Sequence, residues 1–417
     1  MLKCSTNTTK LPRLFKKKWS AESRHSPRNY STLAFFLLHQ TSFSLPQKFI
    51  KQFSYSADMV MRMRLALLVL FSLAVTPLLA RAVDIHQLRQ LAARNNVTCI
   101  LVFGDSSVDP GNNNQLDTMM KGNFPPYGKN FLNGRPTGRF SNGRLATDFI
   151  AEALGYRNII PAFLDPHIQK ADLLHGVSFA SSASGYDDLT ANLSNVFPVS
   201  KQLEYFLHYK IHLRQLVGKK KAEEILGRAL FVMSMGTNDF LQNYFLEPTR
   251  SEQYTLEEYE NYLISCMAHD IEEMHRLGAR RLVVVGIPPL GCMPLVKTLK
   301  DETSCVESYN QAAASFNSKI KEKLAILRTS LRLKTAYADI YGTVERAMNN
   351  PKQYGFTVTT KGCCGSGTVE YAESCRGLST CADPSKYLFW DAVHPSENMY
   401  KIIADDVVNS LDQDLLL

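Results

Sequence analysis

Between about residue 95 and residue 412, short apolar runs alternate with much longer stretches of helical spacing, and that alternation sets the fold class. Residues 98–103, Leu230–Ser234, 282–285 and 335–338 read as strands, while Leu256–Leu277 and 306–331 have helical length and periodicity. Strands alternating with helices in one chain predict a mostly parallel central sheet covered by helices on both faces, a three-layer α/β/α sandwich. In such sheets the functional groups gather beyond the carboxyl ends of the strands. Motifs there are worth weighing first.

The totals narrow the function. At 417 residues, 45% apolar and 21% charged, the chain has an ordinary globular composition. Its net charge of +8 resembles that of a polyanion binder, but the excess is local: residues 1–82 carry a net +11 and the rest a net −3. The body therefore offers no electrostatic case for a nucleic-acid partner.

From Met59 the sequence reads MVMRMRLALLVLFSLAVTPLLARAVD, with Arg62 and Arg64 ahead of an apolar run and small residues at Ala80 and Ala82. This is the layout of a secretory signal over residues 59–82, too short and too interrupted by Pro77 for a bilayer span. Residues 1–58 form a basic, Ser-rich extension, read as an addition upstream of a true start at Met59, Met61 or Met63. The globular body is placed at 95–412. After Cys4, eight cysteines remain (Cys99, Cys266, Cys292, Cys305, Cys363, Cys364, Cys375 and Cys381), the last four crowded into 19 residues. An even count on a secretory route favours disulfides over zinc, with connectivity open. Sequons at Asn96 and Asn192 are candidate glycosylation sites.

Four segments carry chemistry. Residues 101–114, LVFGDSSVDPGNNN, run from a strand through Gly104 into Ser106. Alone, Gly-Asp-Ser is ordinary turn chemistry. Residues 176–187, GVSFASSASGYD, put small residues after a short apolar strand, where backbone N–H groups can approach a substrate or simply pack tightly. Residues 230–239, LFVMSMGTND, bring Asn238 to the end of another strand, as an amide donor or a helix cap. Residues 388–395, LFWDAVHP, space Asp391 and His394 so that one turn lets the carboxylate orient the imidazole. Each is weak alone.

In this order the four blocks resemble the plant-type GDSL branch of the SGNH hydrolases. The likeness extends through NFPPYG (123–128), GRFSNGR (138–144), PPLGC (288–292) and GCCG (362–365). It implies a flavodoxin-like fold and hydrolysis of carboxylic esters through an acyl-serine intermediate, without metal or organic cofactor. It further implies Ser106 as nucleophile, His394 as base and Asp391 as the group orienting it. The implied oxyanion donors are the Ser106 N–H, a second-block backbone N–H and the Asn238 amide. Here the chain departs from its relatives, because Ala183 stands where a glycine is usual. An alanine still has an N–H, and it fails only where positive φ or a lack of room excludes the methyl.

The expected partner is an ester substrate (a lipid, an acylated glycan or a phenolic ester), met outside the cell by a protein without a stable membrane span. Two other readings stay open: acyl transfer to a hydroxyl acceptor, and a secreted lipid- or glycan-binding protein on an inactive scaffold. No GxSxG elbow occurs, which argues against the α/β-hydrolase type of lipase.

Overall fold

A computed structural model describes residues 97–414, together with residues 64, 89–90 and 92–93 ahead of them. Apart from residue 64, the signal-like segment and the basic extension lie outside the described residues, as does Asn96.

Five strands form one sheet: β1 (Ile100–Gly104), β2 (Gly176–Ser178), β3 (Leu230–Ser234), β4 (Arg281–Val285) and β5 (Lys334–Ala338). All pair in parallel, in the order β2-β1-β3-β4-β5. The helices are α1 (Ala146–Ala153), α2 (Asp188–Leu193), α3 (Val199–Val217), α4 (Lys219–Arg228), α5 (Leu256–Leu277), α6 (Pro294–Leu299), α7 (Glu307–Ser330), α8 (Ile340–Asn349) and α9 (Glu397–Asp414).

The strands read as unbroken apolar runs because both of their faces are covered. Leu101, Phe103, Phe231, Met233, Leu282 and Val284 face a core shared with Phe206 of α3, Met267 of α5 and Phe316 of α7. Their neighbours Ile100, Val102, Leu230, Val232, Val283 and Val285 face a second core, shared with Ile150 of α1, Val344 of α8 and Ile403 of α9. The result is an α/β/α sandwich. Helix α5 ends where its sequence says it should, opening on a Thr255–Glu258 capping box and stopping at Gly278, whose φ is +123°. Among the described residues no helix is long and apolar enough to cross a membrane.

The strand order fixes the site. The chain leaves β1 to one side for β2, then crosses to the other side for β3, so a crevice opens between the carboxyl ends of β1 and β3. Ser106 follows β1 by two residues and Asn238 follows β3 by four. Disulfides join Cys292 to Cys305, Cys363 to Cys381 and Cys364 to Cys375. Cys99 departs from the even count. It is a free thiol in the core, and burial pushes it up to about 12.

Candidate active site

Gly104 makes the turn out of β1. Its φ is +151°, and a Cβ there would stand 2.1 Å from the Ser234 carbonyl oxygen of the neighbouring strand. The chain can thus cross β3 closely and present the next residues at the sheet's edge. Ser106 Oγ then lies 2.8 Å from His394 Nε2. His394 Nδ1 faces both oxygens of Asp391, at 2.7 and 2.9 Å, so it must carry the ring proton and leave Nε2 to accept from the serine hydroxyl. Asp391 is fully buried, and Ser106 and His394 are nearly so.

Three further donors hold the Asp391 carboxylate. The backbone N–H groups of Val393 and His394 donate to Oδ1 at 2.8 and 2.6 Å, and the Tyr127 hydroxyl donates to Oδ2 at 2.7 Å. Tyr127 in turn accepts from the Ala372 N–H at 2.8 Å. Burial, then the Asp391 charge, pushes the Tyr127 phenol well up, so it stays a donor. The Phe140 ring lies 4.7 Å from the imidazole and covers it. Tyr127 and Phe140 belong to the NFPPYG and GRFSNGR segments, to which the sequence alone assigns no role; nothing in the NFPPYG spacing points to a carboxylate 264 residues away.

The second block is held from both ends. Asp109 Oδ2 accepts from the Ser182 N–H at 2.9 Å, Asn112 donates to the Ser178 and Ala180 carbonyls, and Asn113 donates to the Ser182 carbonyl. The D-x-GNN run is therefore a clamp on this loop. On the far side Asp239 accepts from the N–H groups of Tyr186 and Asp187 and from the Thr190 hydroxyl. Gly185 is needed here, since a Cβ would stand 2.2 Å from the Asp239 carboxylate. Burial raises both carboxyls, Asp109 to about 6 and Asp239 to about 7.

Between these anchors Ala183 sits at φ +66°, in the left-handed region that disfavours a side chain. Its methyl nevertheless has room, packed in a small apolar cluster with Ala191 and Val196. Among the described residues neither the Ser106 N–H nor the Ala183 N–H has an acceptor. Asn238 Nδ2 donates one proton to the Ser184 carbonyl at 2.9 Å, which fixes the amide and leaves its second N–H available. Asn238 opens a π-helical segment, Asp239–Leu246, a form that recurs at functional sites. Ser106, Ala183, Asn238 and His394 all line one groove of about 340 Å³, open to solvent. The structure thus gathers Ser106, Asp391, His394, Ala183 and Asn238 in one place. Asn192 is exposed on α2, beside Leu193 at the groove's rim.

Residues 100–407 match the family model described as GDSL-like Lipase/Acylhydrolase. The chain is 56% identical over 336 residues to the Arabidopsis thaliana protein GDSL esterase/lipase At5g45950, covering 81% of this chain and 94% of that one. It is 42% identical over 329 residues to GDSL esterase/lipase At4g26790 of the same organism, covering 76% and 94%.

Proposed function

Since the chain belongs to the GDSL-like lipase/acylhydrolase family and is a carboxylic ester hydrolase, we propose that Ser106 is its nucleophile, His394 its general base and Asp391 the group that orients the imidazole. The observation that carries this reading is the unbroken line Ser106 Oγ–His394 Nε2, His394 Nδ1–Asp391, at 2.8 and 2.7 Å. As Ser106 Oγ attacks the ester carbonyl carbon, its proton passes to His394 Nε2. The imidazolium so formed is stabilised by the buried carboxylate. Collapse of the tetrahedral intermediate breaks the bond to the alcohol, which leaves with the proton from His394. Water, deprotonated by the same nitrogen, then attacks the acyl-serine and releases the acid.

Negative charge on the carbonyl oxygen is met by the unpartnered N–H groups of Ser106 and Ala183 and by the free N–H of Asn238. Each such donor typically contributes about 2.7–4 kcal/mol to the transition state. The test is labelling with a fluorophosphonate, which reports an activated serine, beside hydrolysis of p-nitrophenyl acetate. Wild type should react in both assays and Ser106→Ala in neither. Hydrolysis by Ser106→Ala at the wild-type rate would sink the assignment.

The enzyme acts outside the cell. Support comes from the signal-like residues 59–82 and from disulfides such as Cys292–Cys305 and Cys363–Cys381, which persist in oxidising compartments. The hydrolase domain then spans about 95–412. Sequencing the N-terminus of protein collected from the medium should read from Val83; retention inside the cell with residues 59–82 attached refutes it.

A further inference from the structure

Two cavities meet at the reacting atoms. The first is the solvent-open groove of about 340 Å³, whose walls mix Gln242, Glu247 and Tyr371 with Leu193 and Leu246. The second, about 100 Å³, also touches Ser106, Asn238 and His394, but runs inward between the sheet and the α1, α8 and α9 layer. Its walls include Val232 of β3, Val283 of β4, Ala146 and Ile150 of α1, Val344 of α8 and Ile403 of α9. These are core residues, almost wholly withdrawn from solvent.

An ester also has two sides, and the order of bond breaking says which side goes where. The alcohol must leave before water can enter, and it must leave past His394, which protonates it. In the inner slot, walled by buried core residues, it would have to pass the acyl-serine to reach the groove that water uses. The acyl group, in contrast, stays bonded to Ser106 until the second step and needs no exit while water arrives from the open groove. On the reading that Ser106 is the nucleophile, we propose that the inner cavity is the acyl site, and that its volume restricts this enzyme to esters of short acyl groups. A 150 Å³ apolar cavity holds the six carbons of benzene, so about 100 Å³ holds about four carbons beyond the carbonyl. The open groove takes the alcohol and leaves its size unrestricted.

The test uses two ester series on the full-length mature protein: one fixed alcohol with acyl groups from acetyl to dodecanoyl, and one acetyl group with alcohols of increasing length. In the first, kcat/KM should peak at butyrate to hexanoate and be at least tenfold lower at dodecanoate. Ala146→Leu, which fills the slot, should lower the hexanoate-to-acetate ratio at least tenfold and leave the trend along the alcohol series as in wild type. Ile403→Ala, which enlarges the slot, should shift the optimum to longer chains, and it decides the matter should Ala146→Leu not fold. The proposal is overturned by a rise in kcat/KM that continues through dodecanoate, by ratios unchanged in the folded variants, or by a penalty that follows the alcohol series. Fluorophosphonate labelling of each variant separates this outcome from a failed nucleophile, because a working serine reacts whatever the acyl preference.

Discussion

The hydroxyl of Tyr127 donates to Oδ2 of Asp391 at 2.7 Å, on the side of the carboxylate that also faces His394 Nδ1. Both groups are buried, so water cannot replace either partner. Tyr127→Phe removes the donor, leaves a carboxylate lone pair unmet and strands the Ala372 N–H. A hydrogen bond to a buried charge is worth about 1.5–3 kcal/mol. Tyr127→Phe should lower the unfolding free energy by that order and kcat by about tenfold, with KM little changed. It should also displace the acid limb of the kcat–pH profile, which a purely packing role would leave in place. Denaturant titration and a pH–rate series check both expectations.

At Ala183 two effects oppose each other. Glycine would relieve the left-handed backbone, about 1 kcal/mol, but would lose a methyl packed on Ala191 and Val196, about 0.8 kcal/mol. Ala183→Gly should therefore be close to neutral in stability, and because the N–H is unchanged it should alter kcat only a few-fold. Ala183→Val puts a branched side chain at φ +66° and should be strongly destabilised. Kinetics on p-nitrophenyl acetate with matched melting curves decide it; a gain of several hundredfold in Ala183→Gly would mean that the methyl blocks the natural site.

Burial raises the Asp105 and Asp109 carboxyls to about 6 and Asp239 to about 7. Between about pH 4, where an unfolded Asp ionises, and pH 6–7, the folded protein holds protons that the unfolded chain has released. These three groups therefore make stability fall as pH rises through that window, opposite to a salt-bridged carboxylate. Melting temperature followed from pH 4.5 to 8 should show the decline. Asp239→Asn, uncharged throughout, should show a shallower slope even though its overall stability is lower.

The Cys364–Cys375 bridge closes a short loop that includes Ala372, whose N–H holds the Tyr127 hydroxyl. Cys363–Cys381 closes a second loop around it. A loop of such length contributes about 3 kcal/mol in the chain-entropy account. The double variant Cys364→Ser, Cys375→Ser should melt several degrees lower. It should also lose activity while still folded, because the support behind Tyr127 is loosened. Activity measured well below the melting transition separates the two effects.

Much of this was legible in the sequence because the blocks are local. Strand, glycine and functional residue are contiguous at Gly104–Ser106, and Asp391 and His394 sit on one turn. The boundaries of β3 and α5 follow from unbroken apolar runs and a capping box. What stayed hidden is what depends on long-range pairing. The partners of Tyr127, Asp109, Asn112 and Asp239 are set by the packing of distant loops, and no spacing rule reaches them. Strand β2, only three residues long, was legible just as a short apolar run ahead of the small-residue loop. The isolation of Cys99 depends on its place in the core, which a count cannot give.

The 288-position separation of Ser106 from His394 also bears on the making of the protein. A ribosome releases Ser106 early and the turn that holds His394 among the last segments of the chain. Through nearly all of synthesis the serine is an ordinary alcohol, without the imidazole that would take its proton. Only when the turn bearing Asp391 and His394 folds beside Ser106 does the serine meet an imidazole, so activity itself certifies that this late segment has arrived and folded.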